Sequence, residues 1–229
     1  MKINIRKEIV SIHNGKESLK IFHLSDFHFK FSKKTANRIA ESTESGQPDL
    51  ILMTGDYFDT PKGFNLLFSL LPRLAVCCPV VFIEGNHDNL YGSHFLKKLG
   101  DLDNCTYLKT QSFQYKSKRG YDYTIYPENG IVQEGKKNRT NIRLIHNPRK
   151  INSTKLDDIN LVLCGHLHGG QFIFWKSKSG KLYPGSFFYK HCIDRKKIEN
   201  STVIISKGLG DTLPMRYNCP KEIVEIQVV

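Results

Sequence analysis

Leu50-Ile-Leu-Met-Thr-Gly-Asp56 is a short apolar run that stops at a glycine and a carboxylate. Its apolar part is too short for a helix, and its large aliphatic side chains suit a buried strand. The arrangement recurs. Leu19-Lys-Ile-Phe-His-Leu24 runs into Ser25-Asp26-Phe27-His28, and Val80-Val-Phe-Ile83 into Glu84-Gly85-Asn86-His87-Asp88. Ile142-Arg-Leu-Ile145 runs into His146-Asn147-Pro148, and Leu161-Val-Leu-Cys164 into Gly165-His166-Leu167-His168-Gly169-Gly170-Gln171. In open α/β sheets, ligands bind just beyond the carboxyl ends of the strands. Five expected strands thus deliver oxygen and imidazole donors towards one edge.

Helix-like segments separate the first three runs. Lys33 to Ser45 predicts a helix ending at Gly46, and Phe64 to Val76 a second that Pro72 kinks or ends. Tyr91 to Leu99 predicts a third. Strand-helix-strand alternation implies parallel pairing with helices over the sheet. Residues 104–140 alternate in short pieces, with exposed turns expected at Lys116 to Gly120 and Asn129 to Thr140. Gln171 to Trp175, Thr202 to Ser206 and Glu222 to Val229 read as strands, so the second half predicts a second sheet. The 229 residues read as one α/β domain with two layered sheets.

Charged Asp and His at the mouth of a core are costly unless paired or bound to metal. Glycine before Asp56, Asn86 and His166 lets the backbone turn sharply and come close to an ion. The donors are Asp26, Asp56, Asn86, His28, His146, His166 and His168, with no thiolate. That set suits manganese, iron, zinc or cobalt as divalent ions, and does not suit a cysteine-rich structural zinc. Any one of these histidines alone would more often be a polar core or surface residue. Seven donors at five strand ends favour metal.

The blocks Asp26-x-His28, Gly55-Asp56, Gly85-Asn86-His87-Asp88, His146 and Gly165-His166-x-His168 resemble, in order, the calcineurin-like metallophosphoesterase family. The tail Gly208-Leu-Gly-Asp-x-Leu-Pro-Met-Arg216, followed by Pro220-Lys-Glu-Ile223, is similar to a subgroup of that family. The subgroup holds small bacterial phosphodiesterases and the chlamydial-type UDP-2,3-diacylglucosamine pyrophosphatase. The resemblance implies a four-layer α/β/β/α sandwich of two mixed sheets flanked by helices. It implies two divalent ions, manganese first among them. Asp26, His28 and His168 would hold one, Asn86, His146 and His166 the other, and Asp56 would bridge. It further implies hydrolysis of a phosphodiester or pyrophosphate bond by a hydroxide bridging the ions. His87 would protonate the leaving group or stabilise transition-state charge. Asp88 is read as orienting His87 by accepting a ring proton. Arg216 is expected to contact phosphate on the resemblance alone. Asp59 either orients a ligand or caps the helix beginning near Pro61.

Lys and Arg number 34 against 22 Asp and Glu, a formal charge of +12. This favours anionic partners without choosing among them. A phosphorylated small molecule or a lipid-linked substrate leads. A nuclease and a cyclic-nucleotide phosphodiesterase are enzyme alternatives, with nucleic acid the less favoured partner, and a catalytically silent scaffold is the non-enzyme one. The start, Met1-Lys-Ile-Asn-Ile-Arg-Lys-Glu8, has no apolar stretch of the export type, and no run is long enough to span a membrane. The expectation is a cytoplasmic protein, with peripheral contact at an anionic membrane left open. The six cysteines are expected reduced, with Cys77 and Cys78 in core packing. Basic and aromatic residues interleave at Phe27 to Lys34 and at Phe172 to Lys178 with Phe187 to Lys190. Both stretches are expected to rim the mouth, gripping an amphipathic substrate or resting on anionic lipid. Core aromatics alternating with exposed lysines is the alternative, preferred for the second stretch.

Overall fold

The structure is a computed structural model that describes residues 3–13, 15–91, 93–132, 139–213 and 215–229. Among them are two six-stranded sheets and a two-stranded hairpin. The first sheet contains β1 (Asn4–Val10), β2 (Leu19–Leu24), β3 (Leu50–Met53), β4 (Val80–Phe82) and β5 (Cys105–Tyr107). The second contains β6 (Phe113–Lys116), β7 (Asp122–Tyr126), β8 (Arg139–Ile145) and β9 (Leu161–Cys164). The hairpin is β10 (Ile173–Lys176) and β11 (Leu182–Pro184). The chain then adds β12 (Arg195–Ile198) and β13 (Ser201–Ile205) to the second sheet and returns to the first as β14 (Glu222–Val228).

Strands β2, β3, β4 and β5 pair in parallel, as do β7, β8, β9 and β13. Parallel strands are buried on both faces, which is why they read as unbroken apolar runs. The expected second sheet needs two corrections. Ile173–Lys176 pairs with β11 outside that sheet, because the hairpin folds on itself. Glu222–Val228 inserts between β1 and β2 of the first sheet, antiparallel to β2. Local pattern shows that a segment is a strand, not which distant strand it joins. Strand β1 also escaped the sequence reading, because its charged residues mask the alternation.

Helix α1 (Lys33–Gly46) buries Ala36, Ile39, Ala40 and Thr43, one helical face, and ends at Gln47 in a left-handed cap. Helix α2 (Pro61–Cys77) is capped by Thr60, whose hydroxyl accepts the Gly63 N–H, and continues beyond Pro72 to Cys77. Proline removes one backbone bond there. The buried stripe Leu67, Leu70, Leu71 and Leu74 holds the helix nonetheless, each leucine contributing about 1.5–3 kcal/mol. The third helical region is α3 (Asn86–Tyr91) followed by α4 (Ser93–Gly100), so helix begins at the donor block itself. These helices and the first sheet share one apolar cluster. A second cluster, with Leu52, Val81, Ile142 and Leu163, fills the space between the sheets. A third covers the outer face of the second sheet under the 3-10 turn Pro148–Ser153. Helix α5 (Gly185–Phe188) follows the hairpin. Cys78 is buried as expected, whereas Cys77 is exposed. Of the turn expected at Asn129 to Thr140, residues 133–138 lie outside the described residues, as do Met1, Lys2, Gly92 and Pro214. Among the described residues no helix is long and apolar enough to cross a membrane.

Strands β2, β3 and β4 end on the same edge as β8 and β9, so the inter-sheet cluster sets the gap between the two groups of donors. Leu163→Ala, fully buried in that cluster, is expected to lower unfolding free energy by about 2–5 kcal/mol in a denaturant titration.

Candidate metal centre

The strand-end residues converge. Donor atoms of Asp26, His28 and His168 lie within 4.8 Å of one another, and so do those of Asp56, His146 and His166. Each group takes residues from both sheets. Asp56 joins the two: its Oδ2 is 3.7 Å from His28 Nε2 and 3.2 Å from His146 Nε2. Its Oδ1 accepts the His87 backbone N–H at 2.8 Å. Asn86 Oδ1 is 2.9 Å from His146 Nε2.

The backbone reaches this arrangement through an unusual conformation. Asp26, His28, Asp56, His166 and His168 all have positive φ, between 45 and 73°. Each left-handed non-glycine residue costs roughly 1–2 kcal/mol, and such residues cluster where function over-determines the backbone. Gly85 and Gly165 serve a different need, close approach. A Cβ on Gly85 would lie 2.2 Å from Asp56 Oδ1, and one on Gly165 2.4 Å from Asp26 Oδ2.

The His146 ring tests whether these residues fit a cation. Its Nδ1–H donates to the Thr54 carbonyl at 2.7 Å, which leaves Nε2 as a bare lone pair. That lone pair faces Asp56 Oδ2, Asn86 Oδ1 and His166 Nδ1, the last at 3.1 Å. Four electron-rich atoms converge, and a proton or a metal ion relieves them. The ring's pKa is accordingly held up at about 9: burial is the largest single influence and pulls it down, but the Asp56 hydrogen bond and the Asp56 and Asp26 charges together outweigh it. Asp56 falls to about 2: burial pushes it up, but the bond to His146, the His146 charge and the His87 N–H bond together overcome that push. In the other half, burial is the largest influence on His28 and lowers its pKa, but the Nδ1–H bond to Asp59 at 2.9 Å and the charges of Asp26, Asp59 and Asp56 together raise it, and Nε2 faces His168 Nε2 at 3.1 Å. His168 drops to about 4, mainly through burial. The donor set, and the lone pairs crowded around His146 Nε2, fit divalent cations.

Two expected roles change. Asp88 does not touch the His87 ring. Its buried carboxylate accepts backbone N–H bonds from Asp56, Tyr57 and Gly85 at 2.8–2.9 Å, tying the turn after β3 to α3. Burial pushes that carboxyl up to about 6 despite those bonds. The partner of His87 is Asp59, whose Oδ1 accepts both the His87 and His28 Nδ1–H at 2.9 Å. Burial raises the Asp59 pKa, but the bonds to and charges of His28 and His87 together lower it more. Thr60, not Asp59, caps α2. The signal was present in Gly55-Asp56-x-x-Asp59, where two carboxylates flank one tight turn. Arg216 is turned inward. Its guanidinium donates to Asp211, Cys219 O, Cys219 Sγ, Gly210 O and His168 Nδ1, which uses every N–H it has. In this geometry none is left for a phosphate, so it braces the 210–219 loop against His168. Tyr57 and Thr54 were not foreseen. The Tyr57 hydroxyl accepts from Gly55 N–H and donates to Ile83 O, pinning two strand ends together.

The profile of the family described as Calcineurin-like phosphoesterase matches residues 19–170. The chain is 25% identical to phosphodiesterase YaeI of Escherichia coli, over 98% of this chain and 87% of that one. It is 26% identical to an uncharacterised metallophosphoesterase, YkuE, of Bacillus subtilis, over 93% and 79% respectively. It is 26% identical to a probable cyclic nucleotide phosphodiesterase of Coxiella burnetii, over 82% and 90%. Among solved structures, TT1561 of Thermus thermophilus superposes with a TM-score of 0.55 at 11% identity, covering 84% of this chain and 91% of that one. A dimetal phosphatase from Danio rerio gives 0.51 at 9% identity, covering 91% and 98%. At such identities these two support the fold alone.

Asp59 and Asp88 predict opposite phenotypes. Asp59→Asn removes a hydrogen-bond anchor shared by two rings, and should cost about 10–100-fold in activity or metal affinity with little change in melting temperature. Asp88→Ala strands three buried N–H groups, and should cost ~3 kcal/mol or more in a denaturant titration.

Proposed function

The chain belongs to the calcineurin-like phosphoesterase family, and on that premise we propose that it hydrolyses a phosphodiester or phosphoanhydride bond. It is a metal-dependent hydrolase of phosphoric esters or anhydrides by fold, family and paired donor clusters. Asp26, His28 and His168 are assigned to one cation, Asn86, His146 and His166 to the other, and Asp56 to both. Manganese leads, since the donors are oxygen and imidazole without thiolate. Two such cations would neutralise phosphate charge and lower the pKa of a bound water. The observation that carries this reading is the single Asp56 oxygen facing rings from both sheets.

The protein's own groups do the rest. The Asp59 carboxylate fixes the His87 ring with its proton on Nδ1, leaving Nε2 to hold or deliver a proton at the leaving oxygen. His87 stands half-buried at the mouth, edge-on to His28. The preference for a diester or anhydride over a monoester rests on the space around the centre. A cavity of about 350 Å³ is lined by His28, Phe31 and Leu213, with Lys30 and Lys221 also on its walls. A second, of about 170 Å³, begins at Asn86 and His146 and carries Lys109 and Lys150. Each donor group thus opens onto its own cavity, which suits a phosphorus with a substituent on either side. The first cavity mixes rings with lysines, favouring a nucleotide- or lipid-linked substrate such as UDP-2,3-diacylglucosamine. A cyclic-nucleotide phosphodiesterase is the second reading, favoured by the printed description of the Coxiella relative.

Chelation should abolish activity, and manganese(II) should restore it. Assayed on aryl phosphomonoesters, aryl phosphodiesters, cyclic nucleotides and a UDP-linked lipid, the protein should favour the diesters or the pyrophosphate. Activity confined to monoesters contradicts the preference, and inertness on all of them with two metals bound favours a silent scaffold. His87→Ala should retain both metals yet lose about 10²-fold in turnover.

A further inference from the structure

The stretch from Gln171 to Lys190 contains four lysines and no carboxylate. It folds as the β10–β11 hairpin and helix α5, directly after the last donor, His168. Among the described residues, eight of the fourteen exposed large apolar side chains lie between positions 174 and 217. Phe174, Trp175, Phe187 and Phe188 are 61, 50, 67 and 77% exposed. The preferred sequence reading of this stretch, core aromatics, is therefore corrected: these four rings point outward. They have no room inside, because Ile173, Leu182, Cys192 and Cys219 already fill the hairpin's buried side.

The outward rings are organised rather than scattered. The Trp175 ring stacks on Tyr183 at 5.0 Å and 5° between planes, and Phe187 meets both rings edge-on. Lys178, Lys181 and Lys190 are exposed within the same stretch, and Arg149 lies over the Tyr189 ring at 5.1 Å. Contiguous apolar surface of this kind marks an interaction site. Composition chooses the partner. Protein interfaces enrich aromatic residues and arginine but are poor in lysine, whereas indole and phenyl rings among lysines suit the boundary of an anionic bilayer. The missing carboxylates remove the repulsion that would oppose such a surface.

We propose that this face docks on an anionic lipid bilayer, with Trp175, Phe187 and Phe188 entering the headgroup region and Lys178, Lys181 and Lys190 over lipid phosphates. The neighbouring lip is tied to the centre. Gln171 accepts the Leu213 N–H at 2.8 Å and donates to Leu213 O and Met215 O, so exposed Leu213 and Met215 stand on a loop fixed to the turn after His168. Leu213 also lines the cavity that contains His28. Docking does not depend on the hydrolytic reading, since it uses no group of the metal centre.

Trp175 is the chain's one tryptophan, so its emission reports this face alone. Phosphatidylglycerol-containing vesicles should shift Trp175 emission to the blue, brominated acyl chains should quench it, and added salt should weaken both effects. Vesicles of phosphatidylcholine alone should do neither. In co-sedimentation, the triple variant Trp175→Ser, Phe187→Ser, Phe188→Ser should lose about 10-fold or more in vesicle affinity. The double variant Lys178→Glu, Lys181→Glu should lose a similar amount while keeping its melting temperature, and it decides the matter if the triple variant fails to fold. Absence of a shift, equal binding to phosphatidylcholine, or a shift that grows with protein concentration without lipid overturns the proposal. The last result would make the face a contact between copies of the chain.

Discussion

The Oδ2 atom of Asp56 is the point on which the arrangement turns. It stands at the seam between two sheets, facing a ring carried by β2 on one side and a ring carried by β8 on the other. Its partner oxygen is held by the His87 N–H, and its own backbone N–H is held by Asp88. The carboxylate therefore cannot swing away to solvent. Buried in the seam it demands positive charge, and the raised pKa of His146 is the imprint of that demand. The same carboxylate gives the inter-sheet cluster a functional meaning, because the packing of Leu52 against the second sheet sets the distance its oxygen must span.

Much of the remaining architecture serves that oxygen indirectly. Five donor residues sit in left-handed backbone, an outlay that local preference does not favour and tertiary structure must offset. Asp88 gathers three N–H groups, Tyr57 clips two strand ends, and Asp59 fixes two rings with one oxygen atom. Each of these groups acts by holding another in place. Gly85 and Gly165 complete the set by leaving room where carboxylates press against backbone.

The strand cores were legible because buried parallel strands leave continuous apolar runs, and Leu19–Leu24, Leu50–Met53 and Leu161–Cys164 fall where the runs predict. The convergence of strand-end residues was legible for the same reason, since the edge on which a strand ends follows from its direction. Four things were hidden. The return of β14 to the first sheet depends on a partner two hundred residues away in the chain, which no local window contains. The exchange of roles between Asp88 and Asp59 depends on which way a turn points its side chains, and a turn of left-handed residues does not follow the helical or extended patterns used to guess. Arg216 sits in a tail similar to the family's, yet its guanidinium folds back on the 210–219 loop. The outward rings of the hairpin were hidden too, because alternation shows that two faces exist without showing which is covered.

Around the centre, the molecule thus combines a rigid cluster of donors with an apolar, lysine-bearing rim that begins where the last donor block ends. The central claim is that one carboxylate serves both halves of that cluster. Electron paramagnetic resonance of the metal-free protein titrated with manganese(II) tests it most directly. Two ions per chain with a spin-coupled spectrum, collapsing to the spectrum of isolated ions or to no binding in Asp56→Asn, is the predicted result. Uncoupled spectra at full loading, or coupling that survives Asp56→Asn unchanged, would contradict it.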